Sequence, residues 1–236
     1  IEKKFFTGEY GPPRYLVGYT EVPTMEFSAP KPYTQRDVAG FIDTFMEIES
    51  IPLKGIRRYL ATSSSISSSR LFDISVVNFI LSTDPVSDEN GLELTHKRKQ
   101  FYLYKNLRAW PYYYFTERVE TIESFKDLYE SIQGGGYIWD GDTEIEIPTE
   151  LHDDESHLRL EKFIQGEMEF QYSSKANEFL VIADSLHPNW HVQVDGNDTK
   201  LIKANGVFKG VLLPPGSHRV RFFFDTSGYM PGVWVS

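Results

Sequence analysis

The chain has 236 residues and a formal net charge of −10. That length fits one large domain or two small ones, and no run of lysines or arginines longer than three residues breaks the acidity to serve a nucleic acid or an anionic membrane surface. It has no cysteine, which removes disulfides, thiolate metal sites and cysteine nucleophiles. Aromatics make up 15% of the residues, a proportion that favours strands and packed layers over a helical bundle.

Residues 1–33 are rich in Gly, Pro and Tyr and read as irregular or extended. The start at Ile1 rather than Met is expected of a fragment or a processed product. "TQRDVAGFIDTFMEI" places Val38, Phe41, Ile42 and Phe45 at helical spacing, with Thr34 and Asp37 as a capping box. A helix is predicted over about 35–47. "TSSSISSSR" at 62–70 is polar and low in complexity, the composition of a loop. "LFDISVVNFILS" is nearly continuous in apolar residues and predicts a short helix running into a buried strand at about 75–82.

"DPVSDENG" is a turn. "LELTHKRKQFYLYKNL" predicts two strands, with Phe101 and Leu103 on one face and Tyr102 and Tyr104 on the other. "AWPYYYFTERVET" continues extended. "TIESFKDLYESIQGGG" predicts a second helix, with Thr121 as cap, Ile122, Phe125, Tyr129 and Ile132 as its apolar stripe and Gly134 as its stop. The segment 138–150 is short, acidic and strand-like. From about 157 alternating segments and turn signals recur at the spacing of a sandwich or barrel.

The fold class expected is therefore α+β and β-rich. A mixed part with two short helices, residues 1–150, precedes an antiparallel β-sandwich of jelly-roll or immunoglobulin-like type, residues 151–236. No internal repeat is visible.

Within the second part, "NWHVQVDGN" sets Trp190, Val192 and Val194 on one face and His191 and Gln193 on the other. Asp195-Gly196 is a hairpin signal, because a type I′ turn needs φ > 0. In "HRVRFFFD", Val220, Phe222 and Phe224 form a buried face while Arg219 and Arg221 point to water. Pro214, Pro215 and Gly216 supply the preceding turn. Trp190 thus falls in phase with two valines and is expected to plug the sandwich core. The competing reading is an exposed stacking platform for sugar.

The stretch "FLVIADSLHPNWHVQVDGNDTKLIKANGVFKGVLLPPGSHRVRFFFD" resembles the C-terminal extracytoplasmic region of the bacterial YfhO-like membrane proteins. The resemblance runs through Leu180, Asp184, Pro188, Trp190, Val194-Asp195-Gly196, Ala204-Asn205, Phe208, Gly210-Val211, Gly216-Ser217-His218 and Val220. The sequence departs at Asn189, where that family usually has Gly, and at Gly206, where an aromatic is common. Upstream, "DISVVNFILSTDP" and "FYLYKNLRAWPYYYF" are similar to two further segments, although Arg is missing after Pro111. The resemblance implies a large polytopic protein similar to lipid-linked-sugar glycosyltransferases, whose catalytic acidic residues lie in loops near the transmembrane helices. No residue here inherits that role.

Other chemical candidates are sparse. "LHDDESHLRL" groups His152, Asp153, Asp154, Glu155 and His157, the residue types of hard-cation or His-rich metal sites. Their spacing is not that of a recognised loop, and a solvated acidic turn is the competing reading. His187 and His191 flank Pro188, which precludes a helix that would align them. "GGG" at 134–136 lacks the Lys-Ser/Thr of a phosphate loop. No catalytic residue and no cofactor is expected.

The reading that follows is a non-catalytic ectodomain of a cell-envelope membrane protein. The resemblance implies that it sits on the extracytoplasmic side of a bacterial cytoplasmic membrane and positions a glycan or lipid-linked sugar for a membrane-embedded glycosyltransferase. Its partners are the transmembrane part of the same polypeptide and that sugar, with no nucleic acid. The chain itself has no run of about 18 apolar residues that would span a bilayer, but "YMPGVWVS" turns apolar around Pro231 and is expected to lead into a transmembrane helix, with Tyr229 and Trp234 at headgroup depth. A secreted carbohydrate-binding module and an interaction domain without a small-molecule ligand remain the alternatives.

Overall fold

The computed structural model describes residues 40, 44, 73–82, 85–86, 91–99, 101–116, 119–122, 124–131, 136–139, 153 and 155–227. The chain divides into two compact units, Ile1–Tyr112 and Tyr113–Ser236. In the first unit, Gly40 and Thr44 are helical. The rest of the helix expected at 35–47, the serine-rich stretch and most of the "DPVSDENG" turn lie outside the described residues.

The described strands of the first unit are β1 (Phe79–Ser82), β2 (Leu92–Arg98) and β3 (Phe101–Asn106). They form an antiparallel sheet of order β1-β3-β2. Tyr102 and Tyr104 share a face and stack with centroids 6.5 Å apart. Of the helix expected before β1, the described residues Asp73 and Ile74 are helical. A turn then takes Val76 to a φ of 60°, a value that a β-branched residue rarely adopts. Buried Asn106 braces that turn. Its amide donates to Asp73 Oδ1 at 2.9 Å and to the Val77 carbonyl at 3.1 Å. Arg108 Nε completes the brace on Asp73 Oδ2 at 3.0 Å.

The second unit begins with β4 (Tyr113–Thr116), β5 (Val119–Ile122), α1 (Phe125–Ser131) and β6 (Gly136–Trp139). The predicted helix of this region needs correction at its start. Thr121 and Ile122 belong to β5, and the cap is Ser124, whose Oγ accepts from the Asp127 amide at 3.1 Å and donates to Asp127 Oδ2 at 2.7 Å. An acid three residues after Ser124 satisfies the cap from both sides, so the helix starts one turn later. With α1 as crossover, β5 and β6 pair in parallel, the arrangement that such a crossover permits.

The remaining strands are β7 (His157–Ile164), β8 (Glu167–Ser174), β9 (Glu178–Ser185), β10 (Trp190–Val194), β11 (Asn197–Thr199), β12 (Ile202–Ala204), β13 (Phe208–Leu213) and β14 (Gly216–Phe224). They build one sheet of order β11-β10-β14-β8-β7 and, with β4 to β6, a second of order β4-β9-β13-β12-β6-β5. Apart from β5–β6, every pairing is antiparallel. Strands from before residue 150 therefore pair with strands from after it, and the structural division falls at Tyr112/Tyr113.

Alternation explains which faces meet. Met168, Phe170 and Tyr172 of β8 and Val220 and Phe222 of β14 are all buried. Phe170 meets Tyr113 edge-on at 5.1 Å, and Tyr172 meets Phe115 at 6.3 Å, so β4 and β8 face each other across the layers. β9 is buried along Glu178–Ile182 without alternation, as a strand covered on both faces must be. Asp195 and Gly196 have φ of 51° and 81°, the left-handed pair that the hairpin signal requires. A second such pair, Asn205 and Gly206 at 48° and 75°, turns β12 into β13 within what reads in the sequence as one long strand.

At Gly210 the side chains of the neighbouring strands β9 and β12 leave no room for another. A Cβ there would lie 2.6 Å from Phe179 Cζ and 3.0 Å from the Ala204 Cβ. We expect Gly210→Ala to destabilise the second unit by about 1–3 kcal/mol, the usual cost of overpacking a filled core. Urea unfolding followed by tryptophan fluorescence measures it, and an unchanged midpoint would mean that the neighbouring side chains yield at this point.

Candidate functional site

The rim of the second unit where β10 begins and β14 ends gathers Trp190, Phe224, His187, Asp184 and Lys209. Trp190 points inward in phase with buried Val192 and Val194 but is itself only half-buried. Its ring and that of Phe224 stand nearly perpendicular with centroids 5.6 Å apart. Its face covers the Lys209 ammonium at 3.5 Å. What it plugs is therefore a buried charge at the rim rather than a purely apolar layer.

Lys209 is fully buried on β13, and its Nζ donates to Asp184 Oδ2 at 2.5 Å. The register of β9 against β13 explains how Asp184 arrives there. Phe208 faces Ser185, but Lys209 faces Ile182. β9 thus carries extra residues at 183–184, and a bulge of this kind re-aims the side chains it displaces. Asp184 keeps 39% of its side chain exposed while Lys209 has none. Burial pushes the Lys209 ammonium below its usual range, and the Asp184 carboxylate opposes that shift. The ring quadrupole of Trp190 adds a second stabilising partner in a desolvated setting. With a carboxylate and an indole both engaged on the ammonium, the group acts as a bolt between layers, since Trp190 lies in one sheet and Lys209 in the other.

The histidines proposed as ligands serve local structure. His187 Nδ1 accepts from the Asn189 amide at 3.1 Å and its ring lies 5.3 Å from Phe224. His191 is exposed on the outward face and stacks on Phe223 at 5.4 Å. The two have different partners.

The acidic stretch is divided in the same way. Asp153 accepts from the amides of Glu155 at 3.1 Å and Lys175 at 2.9 Å. Glu155 pairs with Lys175. His157 Nδ1 lies 2.5 Å from the Glu155 carbonyl. His152 and Asp154 lie outside the described residues. Among the described residues no group of three or more His, Asp or Glu is placed to hold a metal ion.

Other polar groups carry structural weight that their sequence context alone does not assign. Glu178 is fully buried, and its Oε1 accepts from Ser174 Oγ at 2.8 Å, from the Asp153 amide at 3.1 Å and from Ser156 Oγ. Asn205, also fully buried, donates to Tyr114 Oη at 2.9 Å. The signals were present: a lone lysine inside an apolar run, a glutamate opening one, and an Asn-Gly pair.

Residues 150–236 match the model of a family described as bacterial membrane protein YfhO. This stretch is a YfhO-like region. No curated protein and no solved structure matches the chain. The matched region covers β7 to β14, and so all of the five-stranded sheet, but only the central strands β9, β13 and β12 of the other. Among the described residues no helix is long and apolar enough to cross a membrane, and the apolar ending at 229–236 lies outside them.

We expect Asp184→Ala to cost about 2–3 kcal/mol, because it leaves a buried ammonium without its counter-ion. The exposure of Asp184 screens the pair and keeps the cost below that of a fully buried one. Lys209→Met, which removes the charge and keeps the volume, should cost about 1 kcal/mol or less. Denaturant midpoints of the two variants check the order, and equal costs would contradict it.

Proposed function

We propose that the chain is a non-catalytic, water-facing domain of a cell-envelope membrane protein, on the extracytoplasmic side. In this reading it positions a glycan or lipid-linked sugar for a membrane-embedded glycosyltransferase part of the same polypeptide. Its two facing layers act as a sandwich that serves as a rigid mount.

The observation that carries the reading is the outward face of the five-stranded sheet within the region that matches a membrane-protein family. That face is a lattice of charge. Glu167 accepts from Lys162 at 2.5 Å and from Arg221 at 2.6 Å. Glu169 pairs with Arg219, and Arg159 with Glu161. The paired cations hold the Glu167 carboxyl below its ordinary range. Such exposed pairs add little stability, but a face of this kind belongs in water rather than among lipid tails. At one end of the same face the Phe223 ring stacks with His191 and lies 4.7 Å under the Arg221 guanidinium. Flat groups beside fixed carboxylates offer both the stacking edge and the hydrogen-bond partners that a sugar uses.

These 236 residues hold no cysteine, so a thiol introduced among them reports the location of this domain when the label is read on its own peptides. Lys200 is exposed, and a Lys200→Cys variant of the membrane-borne protein should react with a membrane-impermeant maleimide in intact spheroplasts. Reaction only after lysis would put the domain on the other side. The sugar arm is read separately on the isolated chain. Added oligosaccharide should shift the amide resonances of 190–194 and 219–224, and shifts elsewhere or none would remove the positioning role. Turnover of a lipid-linked or nucleotide sugar by the chain alone would overturn its non-catalytic character.

A further inference from the structure

The opposite end of the five-stranded sheet, where β10 ends and β14 begins, holds a histidine whose surroundings fit only one protonation state. His218 Nδ1 lies 2.6 Å from Asp195 Oδ2, and its Nε2 lies 3.1 Å from the Pro215 carbonyl. Both partners are acceptors. A neutral imidazole has one N–H and one lone pair, so one of its nitrogens would face an oxygen lone pair. The imidazolium, with two N–H groups, satisfies both.

The ring is held in place from several sides. It stacks on Tyr172 of β8 at 5.4 Å and 28°, and the Tyr172 hydroxyl donates to the Pro214 carbonyl at 2.5 Å. Asp195 Oδ1 accepts from the Arg219 amide at 2.9 Å, and the Asp195 amide donates to the Arg219 carbonyl at 2.9 Å. Gly216, at φ 130°, gives the ring its space: a Cβ there would lie 2.5 Å from His218 Nε2. The Asp195–Gly196 turn and the Pro214–Gly216 turn thus meet on one imidazole.

We propose that His218 is a proton-operated latch that ties the Asp195–Gly196 turn to the Pro214–Gly216 turn and releases both together when it loses its proton. The charged and titratable groups facing it come from each element packed against it. Asp195 is the counter-ion from the β10–β11 turn. Tyr172 is the phenol from β8, pushed up by burial and then by the fields of Asp195 and Glu178, so it stays neutral throughout. Arg219, the neighbour on β14, is engaged by Glu169 on the outward face.

The direction follows from the same contacts. The hydrogen bond to Asp195, then that to the Pro215 carbonyl, raises the His218 imidazole above its ordinary 6.5. A raised histidine contributes stability that is fully present below the unfolded value and disappears as pH rises through the folded one. The Arg219 amide, then His218, lowers the Asp195 carboxyl below its ordinary 3.8. That contribution is present above the unfolded value and disappears as pH falls through the folded one. The latch is therefore closed at mildly acidic pH and opens on the alkaline side.

NMR on the whole chain tests this. The His218 Cε1 proton should titrate above 6.5. Across that transition the hydrogen-exchange protection of the Asp195 and Arg219 amides, corrected for intrinsic rates, should fall, because the factor by which the closed latch holds its proton more tightly is also the factor by which the proton favours closure. In His218→Gln the protection should lose its pH dependence. Asp195→Asn, which leaves the ring in place, should move the titration down toward 6.5. A His218 that titrates at or below 6.5, or turns whose protection is flat through its transition, would overturn the proposal.

Discussion

Everything at the rim of the second unit follows from one expensive group, the ammonium of Lys209. A charge removed from water costs several kcal/mol unless its partners are well placed. Two are supplied here, from different directions. The bulge in β9 turns Asp184 toward the ammonium, and the inward phase of β10 lays Trp190 over it. The lysine thereby couples the two layers at a point where an apolar side chain would only fill volume. Trp190 reads as a member of the frame for this reason: its ring face is engaged on Lys209, and it forms a T-shaped pair with Phe224.

The same logic of internal partners runs through both units. Buried Asn106 and Asp73 brace the turn that forces Val76 into a left-handed conformation. Glu178 gathers hydroxyls and an amide from residues 153–174. These side chains have the residue types of catalytic or metal sites, but their hydrogen bonds go to the chain's own backbone and side chains. The outward face of the five-stranded sheet differs, because there the charges pair in water beside exposed His191 and half-buried Phe223. A division between an inward set that holds the fold and an outward set that faces water is what the proposed mounting role would require. The YfhO-like match at 150–236 covers both sets. It leaves out β4, β5, α1 and β6, which flank β9 and β12 in the six-stranded sheet. A chain cut at 150 would leave those two strands as open edges, the condition that invites aggregation.

Much of this was legible in the residues. The alternation in "HRVRFFFD" named Val220 and Phe222 as the buried face of β14, and Asp195-Gly196 was legible as a hairpin turn, because side-chain period and turn geometry are local properties. The start of α1 was misplaced by one turn, since Thr121 and Ser124 are both acceptable caps and only the pairing of β5 with β6 decides between them. Lys209 and Asp184 could not be joined from sequence: they lie 25 residues apart and meet only through a bulge. The acidic stretch at 152–157 had the composition of a metal site, but Asp153 and Glu155 are directed to the Lys175 backbone amide and side chain by the approach of the β8–β9 turn.

Lys209 is, above all, a buried and paired charge that Trp190 and Asp184 hold in place. Reaction of the native chain with an amine-specific acylating reagent, read residue by residue by mass spectrometry together with the titration of the Lys209 Cε resonance, tests this most directly. Lys209 should remain unmodified while exposed Lys175 and Lys200 react, and it should titrate below 10.5. A Lys209 that reacts as fast as those two and titrates at the ordinary value would contradict the account.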